Sequence, residues 1–195
     1  MPVIKSSARP AGVLFIVASI TAIAGGSLLL RRDAPHAQLI TGALLEVVLA
    51  IAVVSLAALL LPVLRPSSDG GAVLYVAIRT LEAGLILTGV VGALAATSRS
   101  ASPTLALSVR EWAYHLGTVL VFAVSAIVLN ALLLRGRLAP PWLGWWGLAG
   151  GSLLLLRGVI DTYGSLPAPL QAALAAPIGI QEMVFAGWLI VRSRR

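Results

Sequence analysis

Between Leu39 and Leu64 the chain carries a single charged residue, Glu46, in a stretch made almost wholly of Leu, Val, Ile and Ala. At about 1.5 Å per residue, a helix of that length crosses the roughly 30 Å hydrocarbon layer of a bilayer. In lipid every backbone polar group must find its partner within the protein, and a helix does this inside one segment. Long apolar runs recur along the chain, so the constraint applies to nearly all of it. The residues are 59% hydrophobic and 11% charged, with a mean hydropathy of +1.00, against about 45–50% apolar in soluble domains.

The predicted fold is therefore all-α, a polytopic membrane protein built as a bundle of six transmembrane helices. Residues 1–195 form one membrane domain, with spans at about 11–30, 39–64, 72–96, 110–134, 143–163 and 170–191. A cleaved signal peptide ending at Ala22-Ile23-Ala24 competes for the first segment. Apolar character continuing through Leu28-Leu29-Leu30 favours a retained span. Trp112 with Tyr114, and Trp142 with Trp145 and Trp146, stand where aromatic belts mark the membrane interface. The longest connection is read as Thr97 to Val109, with Ser102-Pro103-Thr104 as a short interfacial turn.

Lys and Arg at the span ends set the orientation. The side holding both termini has Lys5, Arg9, Arg65, Arg135, Arg137, Arg192, Arg194 and Arg195, against Arg31, Arg32, Arg99 and Arg110 on the other. A cell-membrane location with both termini cytoplasmic is the expectation. The net charge of +7 is accounted for by these span ends, so no nucleic-acid partner is expected.

Charge inside the spans is costly and should face protein or a water-filled cavity. Arg79 and Glu82 in the third span are three residues apart and share a helix face. Gly84, Thr88 and Gly92 form a small-residue stripe read as lying beside that pair. Counting from the span ends places Glu46, His115, Arg157 and Asp161 toward the outside. Arg79, Glu82 and Glu182 fall deeper, with Asn130 nearer the inner surface. Arg79 is expected to pair with Glu82 or Glu182. These seven residues, Glu46, Arg79, Glu82, His115, Arg157, Asp161 and Glu182, are the candidate intramembrane polar cluster.

Four carboxylates (Glu46, Glu82, Asp161, Glu182) then face two arginines (Arg79, Arg157). If all were ionised, two negative charges would lack partners. Asp161 is expected to be solvated near the surface, and Glu82, nearest the midplane, is the residue expected to sense any bound species. Pairing that only fixes helix register is the plainer reading of the same residues.

No catalytic residues are expected. Ser55, Ser125 and Ser152 lie in spans without a GxSxG turn, and there is no P-loop or dinucleotide fingerprint. Cysteine is absent, which excludes thiolate chemistry. His115 has only His36 as a second imidazole, so no metal, haem or other cofactor is expected, and His115 is read as an interfacial hydrogen-bonding residue. Gln181 is read as an interhelical hydrogen bond and Pro177 as a tolerated kink.

Two function classes remain. The first is a passive or partner-docking membrane component with a paired polar core, its partners being the lipid bilayer and a second copy or another membrane protein, with Gly147 and Gly151 facing outward. The alternative is a carrier or channel-like protein for a proton or small polar solute. A dry, fully paired core favours the first, and a cavity reaching Glu46 or Glu82 favours the second.

Several motifs in order resemble the bacterial membrane-protein family called domain of unknown function 4386. They are Arg9-Pro-Ala-Gly12, Arg79-Thr-Leu-Glu82, Tyr114-His115-Leu-Gly117, the turn from Arg135 through Pro140 to Gly144, and Glu182 with Trp188-Leu-Ile-Val191. Asn130 departs from that pattern, in which a small or apolar residue is expected. The resemblance implies a six-helix membrane bundle and no particular activity.

Overall fold

The computed structural model describes residues 2–29, 35–98 and 102–192, with side chains from Ala8 onward in the first segment. Arg31, Arg32, Arg99, Arg194, Arg195 and the Lys5 side chain, all used for orientation, lie outside the described residues. Among these residues there are six long helices and no strand: α1 Pro2–Leu29, α2 His36–Leu64, α3 Asp69–Ala95, α4 Pro103–Arg135, α5 Pro141–Tyr163 and α6 Ala168–Arg192. All six are long and apolar enough to cross a bilayer. The protein is thus an all-α, six-helix bundle of the membrane-spanning type.

Local chemistry sets the helix ends. Ser68 caps α3 by accepting a hydrogen bond from the Gly71 amide at 3.2 Å, with Asp69 in the first turn. Pro103 and Pro141 stand in the first turns of α4 and α5, where a missing N–H costs nothing. That signal moves the start of α4 well upstream of Arg110. From Pro103 onward the stretch expected to be the long loop is helix, with Ala106 buried, Leu105 and Val109 exposed, and Arg110 just beyond it buried. At the end of α4, Arg137 N–H to Leu134 O and Leu138 N–H to Leu133 O close a Schellman turn. Arg137 there adopts φ 50°, a conformation glycine would take without the usual penalty.

Short connections make sequence neighbours antiparallel. Each helix packs on the next, and α6 packs back on α1, closing a ring. At the end of the bundle that holds both termini, all six helices share one apolar core. It is built from Phe15, Leu56, Leu60, Tyr75, Leu129, Leu133, Leu143, Phe185 and their neighbours. Toward the other end the core divides. Leu49, Ala50, Val53, Ala83 and Ile86 join α1, α2 and α3, whereas Val119, Ala123, Ala126, Leu154 and Ile178 join α4, α5 and α6. The outer surface is apolar as lipid contact requires, with Leu44, Val48, Ile51 and Val54 of α2 all exposed.

Glycine positions correct two expectations. Gly147 and Gly151 face inward: Gly147 lies directly against the Asn130 amide, and a Cβ on Gly151 would lie 3.0 Å from Ile127 Cγ1. They let α5 approach α4 and do not form an outward stripe. Conversely, Gly84 and Thr88 are exposed, and only Gly92 of that series packs inward, against Ala106 and Arg110 of α4. Four-residue steps drift by about 40° around an α-helix, and Glu82 and Gly84 lie on nearly opposite faces.

Candidate functional site

Arg79 sits 3% exposed midway along α3, and its guanidinium organises the centre of the protein. Nη1 donates to Glu82 Oε2 at 2.9 Å and to Oε1 at 3.1 Å, one helical turn away. Nε donates to the Tyr75 hydroxyl at 3.2 Å. Nη2 lies 3.7 Å from Glu182 Oε1 on α6, beyond hydrogen-bond length. The ring of Phe122 on α4 lies 5.3 Å from the guanidinium carbon, within reach of a cation–π contact. Helices from both halves of the bundle therefore converge on one cation.

This cluster forms the polar end of a cavity of about 270 Å³ between the two halves. Phe15, Leu49, Val53, Leu56 and Phe122 make its apolar walls, and Tyr114 and Thr118 line it from α4. Residues 115–121 of α4 are π-helical, an irregularity often found at functional sites. Its wider turns offset the drift of four-residue steps, so Tyr114, Thr118 and Phe122 present one column to the cavity. Gly117 in the same stretch brings α4 close to α3, where a Cβ would lie 2.9 Å from Leu85 Cβ.

Glu182 differs from Glu82 in its surroundings. Both Glu82 oxygens are engaged by Arg79, and the residue is 3% exposed. The Glu182 side chain is 15% exposed, lines the cavity, and among the described residues has only the long contact to Arg79. With both carboxylates ionised, the cluster holds two negative charges and one positive.

The other candidate residues lie elsewhere. Glu46 pairs with Arg110, whose Nη2 donates to Glu46 Oε1 at 2.7 Å, while the Tyr114 ring lies 5.1 Å from the Arg110 guanidinium carbon. Sequence reasoning places Arg110 among the loop charges, because the apolar run begins there. The upstream Ser102-Pro103 start signal is the clue to the longer helix. Arg157 is not at the cavity. Its Nε donates to Asp161 Oδ2 at 3.1 Å and its Nη2 to Gln171 Oε1 at 3.0 Å. Asp161 Oδ1 accepts from the Leu166 amide at 2.9 Å, so this network fastens the α5–α6 connection. The Asp161 side chain is 9% exposed, a correction to the solvated carboxylate expected there.

His115 lies 2.9 Å from the Thr162 hydroxyl, linking α4 to α5. Gln181 Nε2 donates to Asn130 Oδ1 at 3.1 Å and to Leu143 O at 3.2 Å. Asn130, the departure from the family pattern, is thus half of an interhelical bond beside Gly147. Tyr75 is fully buried and is a site residue that sequence reasoning missed. A tyrosine at a span entry reads as an interfacial residue until its spacing of four from Arg79 is considered.

No curated protein and no solved structure matches the chain. A family model described as a domain of unknown function, DUF4386, matches residues 10–193. That match takes in every residue of the cavity and all six helices apart from the first turns of α1, and the chain belongs to the DUF4386 family.

Proposed function

We propose that the protein binds a proton or a small cationic solute at Glu182, inside the cavity between its two halves, and acts as a carrier or channel-like component of the membrane. The observation that supports this most directly is the charge balance within that space. Arg79 is engaged by Glu82 and Tyr75 and stands 3.7 Å from Glu182. A carboxylate in a low-dielectric site without a hydrogen-bond donor is costly. A proton or a cation at that position removes the cost. Glu182 therefore replaces Glu82 as the sensing residue.

The passive reading has its own support in the three closed pairings, Glu46–Arg110, Arg157–Asp161 and His115–Thr162. It accounts for those residues and leaves the cavity at Glu182 without a role.

We also propose a cell-membrane location with both termini cytoplasmic. Removing the buried Arg110 from the loop charges leaves Arg31, Arg32 and Arg99 opposite eight basic residues, which strengthens the asymmetry. No enzymatic step is assigned.

The test is flux in proteoliposomes loaded with a pH-sensitive dye, under an imposed proton gradient or with ammonium outside. Flux that exceeds empty liposomes and is lost in Glu182→Gln supports the reading. Flux unchanged in a folded Glu182→Gln variant overturns the assignment of Glu182.

A further inference from the structure

We propose that the occupant of the cavity is an amphiphile with an ammonium head and a short alkyl tail, taken up sideways from the bilayer between α1 and α6. This rests on the reading of Glu182 above and specifies its substrate class and route.

The route follows from how the other sides are bounded. Toward the termini the floor is the shared core, where Phe15 and Phe185 meet edge to face with centroids 5.5 Å apart. Toward the opposite end Tyr114, itself 37% exposed, reaches from α4 to α1 and narrows the space, so that a Cβ on Gly26 would lie 3.8 Å from its ring. Beside it stands the Arg110–Glu46 pair. Around the ring, α2 packs on α3 and α3 on α4 beside the cavity.

Between α1 and α6 the packing is tight near the termini, where a Cβ on Gly12 would lie 2.8 Å from Ala186 O. It loosens at the level of the cavity. Ile23 of α1 is 73% exposed and Met183 of α6 is 36% exposed, yet both line the cavity. A Cβ on Gly179, another lining residue, would meet nothing within 4 Å. These lips are apolar and lie within spans, so the opening faces lipid and not water.

The chemistry of the occupant follows from the two ends of the space. One end offers a carboxylate oxygen without a donor, in a cluster with one more carboxylate than guanidinium. An alkylammonium supplies N–H donors and, like a lysine side chain with its pKa of about 10.4, stays charged at neutral pH. An anionic head would meet Glu182 and Glu82, and a neutral one would leave the excess charge in place. The remaining walls are mostly aromatic and aliphatic, with Ser19, Thr118 and Tyr114 the polar exceptions, and suit a hydrocarbon tail. The space of about 270 Å³ has room for a short alkyl chain such as that of octylamine, at roughly 30 Å³ per water-sized group.

The experiment uses the full chain in nanodiscs of phosphatidylcholine and measures thermal unfolding with octylamine, octanol or methylamine at equal free concentration. A ligand that binds the folded state raises the unfolding temperature. Octylamine is expected to raise it, methylamine to raise it much less for want of a tail, octanol to leave it unchanged, and Glu182→Gln to weaken octylamine binding at least tenfold. Gly179→Phe, at the open margin, is expected to weaken it at least tenfold by filling the entrance, and provides the check if Glu182→Gln does not fold. Equal shifts from octylamine and octanol, or octylamine binding that survives both substitutions, overturn the proposal. If proton flux still depends on Glu182 in that case, the reading of the site stands and only the amphiphile falls. If flux is also absent, both fall.

Discussion

Arg110 Nη2 stands 2.7 Å from Glu46 Oε1 and ties α4 to α2 across a separation of 64 residues. Both side chains are buried, so each is the other's means of being there. Removing one partner strands a charge, which in buried pairs costs about 3–5 kcal/mol. Removing both does not.

Arg110→Met is therefore expected to lower stability by about 3–5 kcal/mol, and Arg110→Met with Glu46→Leu to recover most or all of it. Recovery is aided because Arg110 Nε is buried without a partner among the described residues, a cost that the apolar pair abolishes. Unfolding in mixed detergent micelles reads the difference. A double variant no more stable than the single one would show that the pair does not act as a unit.

Gly147 allows a different double substitution. A Cβ there overlaps the Asn130 amide, and such overpacking costs about 1–3 kcal/mol. The Asn130–Gln181 bond is worth less, since interhelical hydrogen bonds in membranes average about 0.6 kcal/mol and Gln181 retains Leu143 O. Gly147→Ala should thus destabilise more than Asn130→Ala, and the combination should be milder than Gly147→Ala alone. Gly84→Ala, with open space around it, should be neutral. Thermal melts of the four variants give the order directly.

Orientation can be read by thiol labelling, since the chain has no cysteine. Gly70 and Gly164 lie at opposite ends of the bundle, both exposed, and an added Cβ meets nothing within 4 Å at either. An impermeant maleimide applied outside cells should label Gly164→Cys and spare Gly70→Cys. The reverse pattern would place the termini outside.

The number of helices was legible because length and apolarity alone decide whether a segment can span. Which face each helix turns inward was less so. For α3 the charged pair Arg79–Glu82 marked the buried face correctly as the costly one, while Gly84 and Thr88 suggested the wrong face, because small residues are also tolerated against lipid. For α4, reading Arg110 as a membrane boundary hid both an ion pair and the helical turns before it. The charge count of four carboxylates against two arginines becomes four against three once Arg110 is included. The one remaining excess charge is at Arg79, where Glu82 and Glu182 meet. That these two lie on one cation depends on how α3 and α6 rotate in the closed ring, and sequence spacing does not carry that information.

Sharing one arginine makes the two glutamates unequal, and the inequality can be measured. Glu82 holds Arg79 at 2.9 and 3.1 Å and Glu182 stands 3.7 Å away. Glu82→Gln should remove the main neutralising partner of a buried guanidinium and destabilise the protein by about 3–5 kcal/mol. Glu182→Gln should cost far less, since Glu82 and Tyr75 still hold Arg79. For function the order reverses: Glu182→Gln should abolish flux in a stable protein. Arg79→Ala strands both carboxylates, and adding Glu82→Gln should recover more stability than adding Glu182→Gln, because Glu82 is the more deeply buried of the two and loses two hydrogen bonds where Glu182 loses only a 3.7 Å contact. Equal recovery from the two would mean that Arg79 holds Glu182 no less firmly than it holds Glu82. The Glu182 carboxylate would then not be free to receive a bound cation, and the cavity would be only a packing gap between the two halves.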